Sequence, residues 1–125
     1  MLKLEDFKAA KKRVDEVISP THLIHSDAFS EECGNDVYIK PENLQKTGAF
    51  KIRGAYNKIM KLDDEAKKKG LIASSAGNHA QGVAYAAKKL GVKATICMPA
   101  HTPLIKVDAT KAHGADVVLY GEAYD

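Results

Sequence analysis

The segment KTGAFKIRGA, Lys46 to Ala55, holds three cations, two glycines and one aromatic residue, and no acid. Any chemistry in it belongs to Lys51, which stands between Phe50 and Ile52 with Arg53 two residues on. A lysine amine is protonated and inert at neutral pH in water. Beside a second cation, or in an apolar pocket, it gives up its proton more readily and becomes a nucleophile or a base. That is the setting of a Schiff-base lysine. Gly48 and Gly54 on either side would permit close backbone approach. The same residues also read as a helix start whose lysine points to water, and one lysine among glycines does not separate the two. A second segment, SSAGNHAQGVA from Ser74 to Ala84, runs from a strand through small residues into a helix. The free N–H groups of such a turn form an anion site. Close packing in an α/β turn is the other account of Gly77, Ala80 and Gly82. His79, taken alone, reads as a satisfied surface or core histidine more readily than as a catalyst.

These two segments need elements to hold them. Apolar residues Leu4, Phe7, Ala10, Val14, Val17 and Ile18 fall near helical spacing, which predicts a helix over 4–18, stopped before Pro20. DVYIKPE, 36–42, alternates as a strand behind a turn at GND. GAYNKIMKL, 54–62, predicts a helix. Asp63 and Asp64 are placed to cap a following turn, DEAKKK, which Gly70 ends. From there the pattern is regular: strand LIASSAG, helix NHAQGVAYAAKKLG, strand KATICMP, helix TPLIKVDATKAHG, strand ADVVLYG. Pro103 sits near the start of its helix, and Gly91 and Gly114 close theirs. This is a parallel βαβαβ unit with right-handed crossovers. EAYD after the last strand reads as the opening of another helix. A parallel sheet is covered on both faces, so the chain reads as the front part of a longer protein.

The wider segment ENLQKTGAFKIRGA, 42–55, resembles the pyridoxal-phosphate attachment segment of the serine/threonine dehydratases. Glu42, Thr47, Ala49, Phe50, Lys51, Arg53, Gly54 and Ala55 match that family's pattern. Ala49 is an allowed variant where serine is commoner. SSAGNHAQGVA resembles the same family's asparagine loop, and the likeness extends over nearly the whole chain from about residue 5. The resemblance implies an α/β fold of three αβα layers around a parallel sheet, the front part of the fold-type II, tryptophan synthase β-like architecture. It implies that residues 1–50 belong to a larger cofactor domain and residues 51–125 to a small βαβαβ domain. It implies pyridoxal 5'-phosphate as cofactor, carried by Lys51, with Phe50 packed on its ring and Asn78 bonded to its ring hydroxyl. Ser75, Gly77, Asn78 and His79 would bind the carboxylate of an amino-acid substrate, mostly through backbone.

Both segments stand nearest threonine dehydratase, which implies conversion of L-threonine to 2-oxobutyrate and ammonia, in a biosynthetic or a catabolic role. Serine dehydratase and serine racemase share the fold. Racemases of this fold use a serine directly before the Gly-Asn pair as a second base. Here that residue is Ala76, whose methyl group cannot take a proton. Relatives bind the cofactor's phosphate and pyridine nitrogen with groups further along than residue 125, so the resemblance implies half a site, weak cofactor binding and little turnover by this chain alone. A homo-oligomer is the family's habit. An alternative from another class is a non-catalytic nucleotide-binding module, with Lys46, Thr47 and Gln81 as contacts. The asparagine loop lacks the GxGxxG spacing of a dinucleotide fold.

Composition narrows the rest. At 125 residues, 45% apolar and 28% charged, the chain suits one globular domain. A net charge of +3 is spread out, and Lys67, Lys68 and Lys69 read as a solvated helix face beside Glu65. Aromatics are few, which argues against base stacking and a nucleic-acid partner. Cys33 and Cys97 lack metal-ligand or disulfide spacing, so no metal is expected and both read as free thiols of a reducing compartment. Cys97, in ATICMP, is expected in the core. The N-terminus is charged from its third residue, unlike a signal peptide, and no apolar run is long enough to span a membrane. A soluble, cytoplasmic protein is the expectation.

Overall fold

A computed structural model describes residues 1–123. Helix α1 covers Leu4–Val14, with the Asp6 carboxylate accepting the Lys3 N–H at 2.8 Å. The predicted extension to residue 18 is not helical. The N–H groups of Val17 and Ile18 both turn back to the Val14 carbonyl, which brings Val14 and Val17 into the core. Leu4 and Phe7, at the other end of the stripe, stay exposed.

Two elements follow that periodicity does not reveal: strand β1, Ile24–His25, and helix α2, Asp27–Cys33. Strand β2 is only Tyr38–Ile39, shorter than the predicted 36–42, and pairs antiparallel with β1. Pro41, with no N–H to donate, stands just beyond it. A 3₁₀ turn, Glu42–Leu44, leads toward helix α3, Lys51–Met60. That helix starts three residues earlier than predicted, at the lysine itself. Gly54 therefore lies inside a helix and not at a turn. Helix α4, Asp64–Lys69, is capped by Asp63, whose carboxylate accepts the Ala66 N–H at 2.7 Å, and it ends before Gly70 as predicted.

The βαβαβ unit is present: β3 Leu71–Ser74, α5 Asn78–Lys89, β4 Ala94–Met98, α6 Leu104–Ala112 and β5 Asp116–Leu119. The three strands are parallel in the order β3-β4-β5, with Ala73, Ile96 and Val117 in register. In a sheet of that order, two crossovers of one hand put both helices on one face, and α5 packs against α6. Ala94, Ile96 and Met98 of β4 are buried under these helices. Helix α3 packs on the far side of α5. An element sandwiched this way needs small residues on two sides, which is why Ala80, Gly82, Val83, Ala84, Ala86 and Ala87 are all buried.

The opposite sheet face is open among the described residues, with Ile72 82% exposed. Cys97 is in register with Ser74 and Val118 on that face and is only half-buried, so it is not the core residue expected. Residues 121–123 are bends. The helix opening read from EAYD runs into residues 124 and 125, which lie outside the described residues.

Candidate active site

Lys51 is the first residue of α3 and is exposed, not enclosed in an apolar pocket. Among the described residues its ammonium has no hydrogen-bond or ion-pair partner, and it lies 4.9 Å from the centroid of the Phe50 ring. Phe50 is itself exposed. The turn before them needs Gly48 at a φ of 68°, a left-handed conformation that costs other residues energy. The Gly48 N–H is fixed on the Gln45 carbonyl at 2.8 Å.

Arg53 is not a free cation beside Lys51. Its Nε and Nη2 each donate to the Glu42 carboxylate at 2.8 Å. Thr21 Oγ1 donates to the same carboxylate at 2.7 Å. The Arg53 hydrogen bonds, outweighing the cost of burial and helped by Thr21, pull the Glu42 carboxyl down to about 2. Arg53 in turn is held above its usual value, first by its hydrogen bonds to Glu42.

The second segment lies against the first. A Cβ built on Gly82 would stand 3.1 Å from the Lys51 carbonyl carbon, 3.2 Å from the Ile52 nitrogen and 3.3 Å from the Lys51 Cβ. Gly82 is thus where α5 crosses the first turn of α3, and only a missing side chain permits that separation. Asn78, the first residue of α5, is one helical turn earlier on the same face. Gly77 behaves differently: a Cβ there would meet nothing within 4 Å. Packing explains Gly82 and does not explain Gly77. The Gly77 N–H reaches Ser75 Oγ at 3.3 Å, and the opening N–H groups of α5 have no intrahelical acceptor.

Ser74, Ser75, Ala76 and Gly77 line a shallow cavity of about 360 Å³ that also includes Lys106. Lys106 is in the first turn of α6 and no sequence pattern singled it out. The signal was topological: in a parallel sheet both crossover helices begin at the carboxyl ends of their strands, where ligands bind. His79 parts from Ser75 and Gly77. It borders an apolar groove between α3 and β3, with Ile59, Leu71 and Val83. Of the nucleotide candidates, Lys46 is exposed and its Nζ lies 6.0 Å from the Tyr85 ring centroid. Gln81 is half-buried. Thr47 is 2% exposed and donates to the Ala49 carbonyl at 3.4 Å.

A lysine at the head of one helix, packed across a second helix that opens at the carboxyl end of a parallel strand, suits a lysine-dependent α/β enzyme. The profile of the family described as pyridoxal-phosphate dependent enzyme matches residues 14–125, and the chain belongs to that family. It is 52% identical over its whole length to an L-threonine ammonia-lyase of Thermotoga maritima, of which it covers 31%. It superposes on threonine deaminase isoform 2 of Solanum lycopersicum with a TM-score of 0.86 and 41% identity, covering 99% of this chain and 36% of that one. On serine racemase of Dictyostelium discoideum the TM-score is 0.92 with 39% identity, covering 98% and 40%. The chain thus spans about a third of the length of the relatives it matches.

The residues present fit the family's cofactor on two observations. The Lys51 amine is unpaired among the described residues, and a Cβ added at Gly77 would meet nothing within 4 Å. No helix of the described residues is long and apolar enough to cross a membrane.

Proposed function

We propose that this chain supplies the lysine and the carboxylate-binding turn of an enzyme that converts L-threonine to 2-oxobutyrate and ammonia. The observation that supports this is the crossing at Gly82, where the first turn of α3, with Lys51 at its head, packs on α5 one helical turn after Asn78. Lys51 would hold pyridoxal phosphate, with Phe50 against its ring and Asn78 on its ring hydroxyl. When bound, the cofactor supplies an electron sink for the substrate's α-carbon. The substrate carboxylate docks on the N–H groups of the turn formed by Ser75, Gly77, Asn78 and His79. Once substrate is bound and the lysine's own amine is free, Lys51 would take the α-proton and return it to the β-hydroxyl, which departs as water. Hydrolysis of the resulting enamine yields 2-oxobutyrate and ammonia.

Dehydration needs a base on one face only, and Ala76 offers no second one, which favours a lyase over a racemase. In the whole protein, residues 1–50 belong to the cofactor-bearing domain and 51–125 to the smaller one, and the enzyme works as a cytoplasmic homo-oligomer. Borohydride reduction after incubation with pyridoxal phosphate, read by peptide mass, tests the assignment. Label concentrated on Lys51 supports it, and label scattered over surface lysines overturns it for this chain.

A second reading has its own observation. The Tyr85 ring is flanked by Lys46 and Lys89, at 6.0 and 5.8 Å, and met edge-on by His113 at 5.5 Å. An aromatic ring among cations suits a nucleotide, with Lys46 and Gln81 at its border. Saturable quenching of tyrosine fluorescence by a nucleoside monophosphate, abolished in Tyr85→Leu, would support it.

A further inference from the structure

Glu42 and Arg53 are prominent in the segment that carries Lys51, yet the proposed chemistry uses neither. Their geometry explains their presence. Helix α3 begins badly: Phe50 provides no side-chain cap, and the first turn holds Lys51 and Arg53 with no acid. Cations at a helix N-terminus oppose the helix dipole. The missing negative charge arrives from outside the helix, from Glu42, in a two-pronged pair with Arg53.

Glu42 is anchored in turn. Thr21 Oγ1 donates to it, and Gln45 joins its backbone neighbourhood to Ser19 by two bonds of 3.0 Å, one to the N–H and one to the carbonyl. The pair therefore closes the segment 42–53 into a loop with Lys51 inside. On the α5 side Lys51 is limited by the close approach of Gly82. On the other side this pair joins the backbone bonds from Gly48 to Gln45 and from Arg53 to Phe50 in holding the turn.

We propose that Glu42 and Arg53 are positioning residues, an ion-pair clamp that holds the first turn of α3 and so fixes the direction in which the Lys51 amine projects. The clamp touches neither substrate nor cofactor. It rests on the reading of Lys51 as the cofactor lysine, but its own physical content, the order of residues 46–53, can be measured separately.

The test uses the purified chain and its Glu42→Gln, Arg53→Met and Arg53→Lys variants, with circular dichroism to verify folding. Hydrogen exchange is read at the amides of 46–53, of which Gly48 and Arg53 donate to Gln45 and Phe50. In parallel, the share of borohydride-trapped pyridoxal phosphate on Lys51 is compared with that on all other lysines. Glu42→Gln and Arg53→Met are expected to speed exchange across 46–53 and lower the Lys51 share about tenfold, the scale of losing a preset geometry. Arg53→Lys, which keeps charge but not the planar fork, is expected to recover part of both. A folded Glu42→Gln or Arg53→Met variant with unchanged exchange across 46–53 overturns the clamp. If the wild-type chain shows no preference for Lys51, the cofactor assignment fails, and the exchange data still decide the clamp.

Discussion

Residues 24–39 and residues 71–119 both join strands through a helix, yet different forces hold them. In the first region no residue of β1, α2 or β2 is buried. It is stapled by polar groups: His25 bonds Asp27 through Nδ1 at 2.9 Å and Ser30 Oγ through Nε2 at 3.1 Å. The Val37 N–H donates to the same Ser30 oxygen at 2.9 Å, and Tyr38 meets the His25 ring edge-on. The second region is held by apolar burial on both sides of α5. Burial scales with area and is cooperative, whereas each polar staple contributes about 1 kcal/mol. Lys51 stands between the two kinds of holding: its helix packs on the apolar unit, while the loop that delivers it is tied by polar bonds from Glu42 and Gln45 to Thr21, Ser19 and Arg53.

The largest effect should come from the apolar side. Ile96 is fully buried, and Ile96→Ala is expected to cost about 3–4 kcal/mol in urea unfolding. A loss near 1 kcal/mol would mean that the sheet is held otherwise. Gly82→Val places atoms against the Lys51 and Ile52 backbone, which cannot swing aside as a side chain can, and should cost about 3 kcal/mol. It should also divert trapped pyridoxal phosphate away from Lys51. If stability and labelling both survive, α5 does not set the lysine's place.

The polar loop gives a pH signature. The folded-state value of Glu42 lies below its ordinary 4.5, at about 2, so its contribution is present above 4.5 and is lost as pH falls toward 2. Acid unfolding of the wild type should therefore steepen in that window, and Glu42→Gln should lack that component. Smallest of all, Ser30→Ala removes the shared hydroxyl of the staple at an expected cost of about 1 kcal/mol, with faster exchange of the Val37 amide as its local mark. A cost comparable to that of Ile96→Ala would erase the distinction between the regions.

That distinction also governs what could be read in advance. The βαβαβ unit was legible because burial repeats with the period of its element, as at Ala94, Ile96 and Met98. Helix α2 and strand β1 were not legible, since His25, Ser30 and Val37 meet by single bonds at no period. Helix α3 was placed three residues late because Gly54 reads as a turn until the helix around it is seen.

The residue types alone offered Lys51 as an amine for covalent chemistry and the turn at 75–79 as an anion site, each beside a plain structural account, and the family resemblance chose between them. Both follow from local properties, an amine and a set of backbone N–H groups, that do not depend on the path of the chain. Tertiary structure decided that the first turn of α3, which carries Lys51, packs on α5 at Gly82, where a side chain is missing. It also decided that Arg53 is neutralised by Glu42, that Lys106 borders the turn and that His79 faces another groove. Those facts are pairings between elements distant along the chain, set by how α3, α5 and α6 pack, and packing has no signature in any single segment.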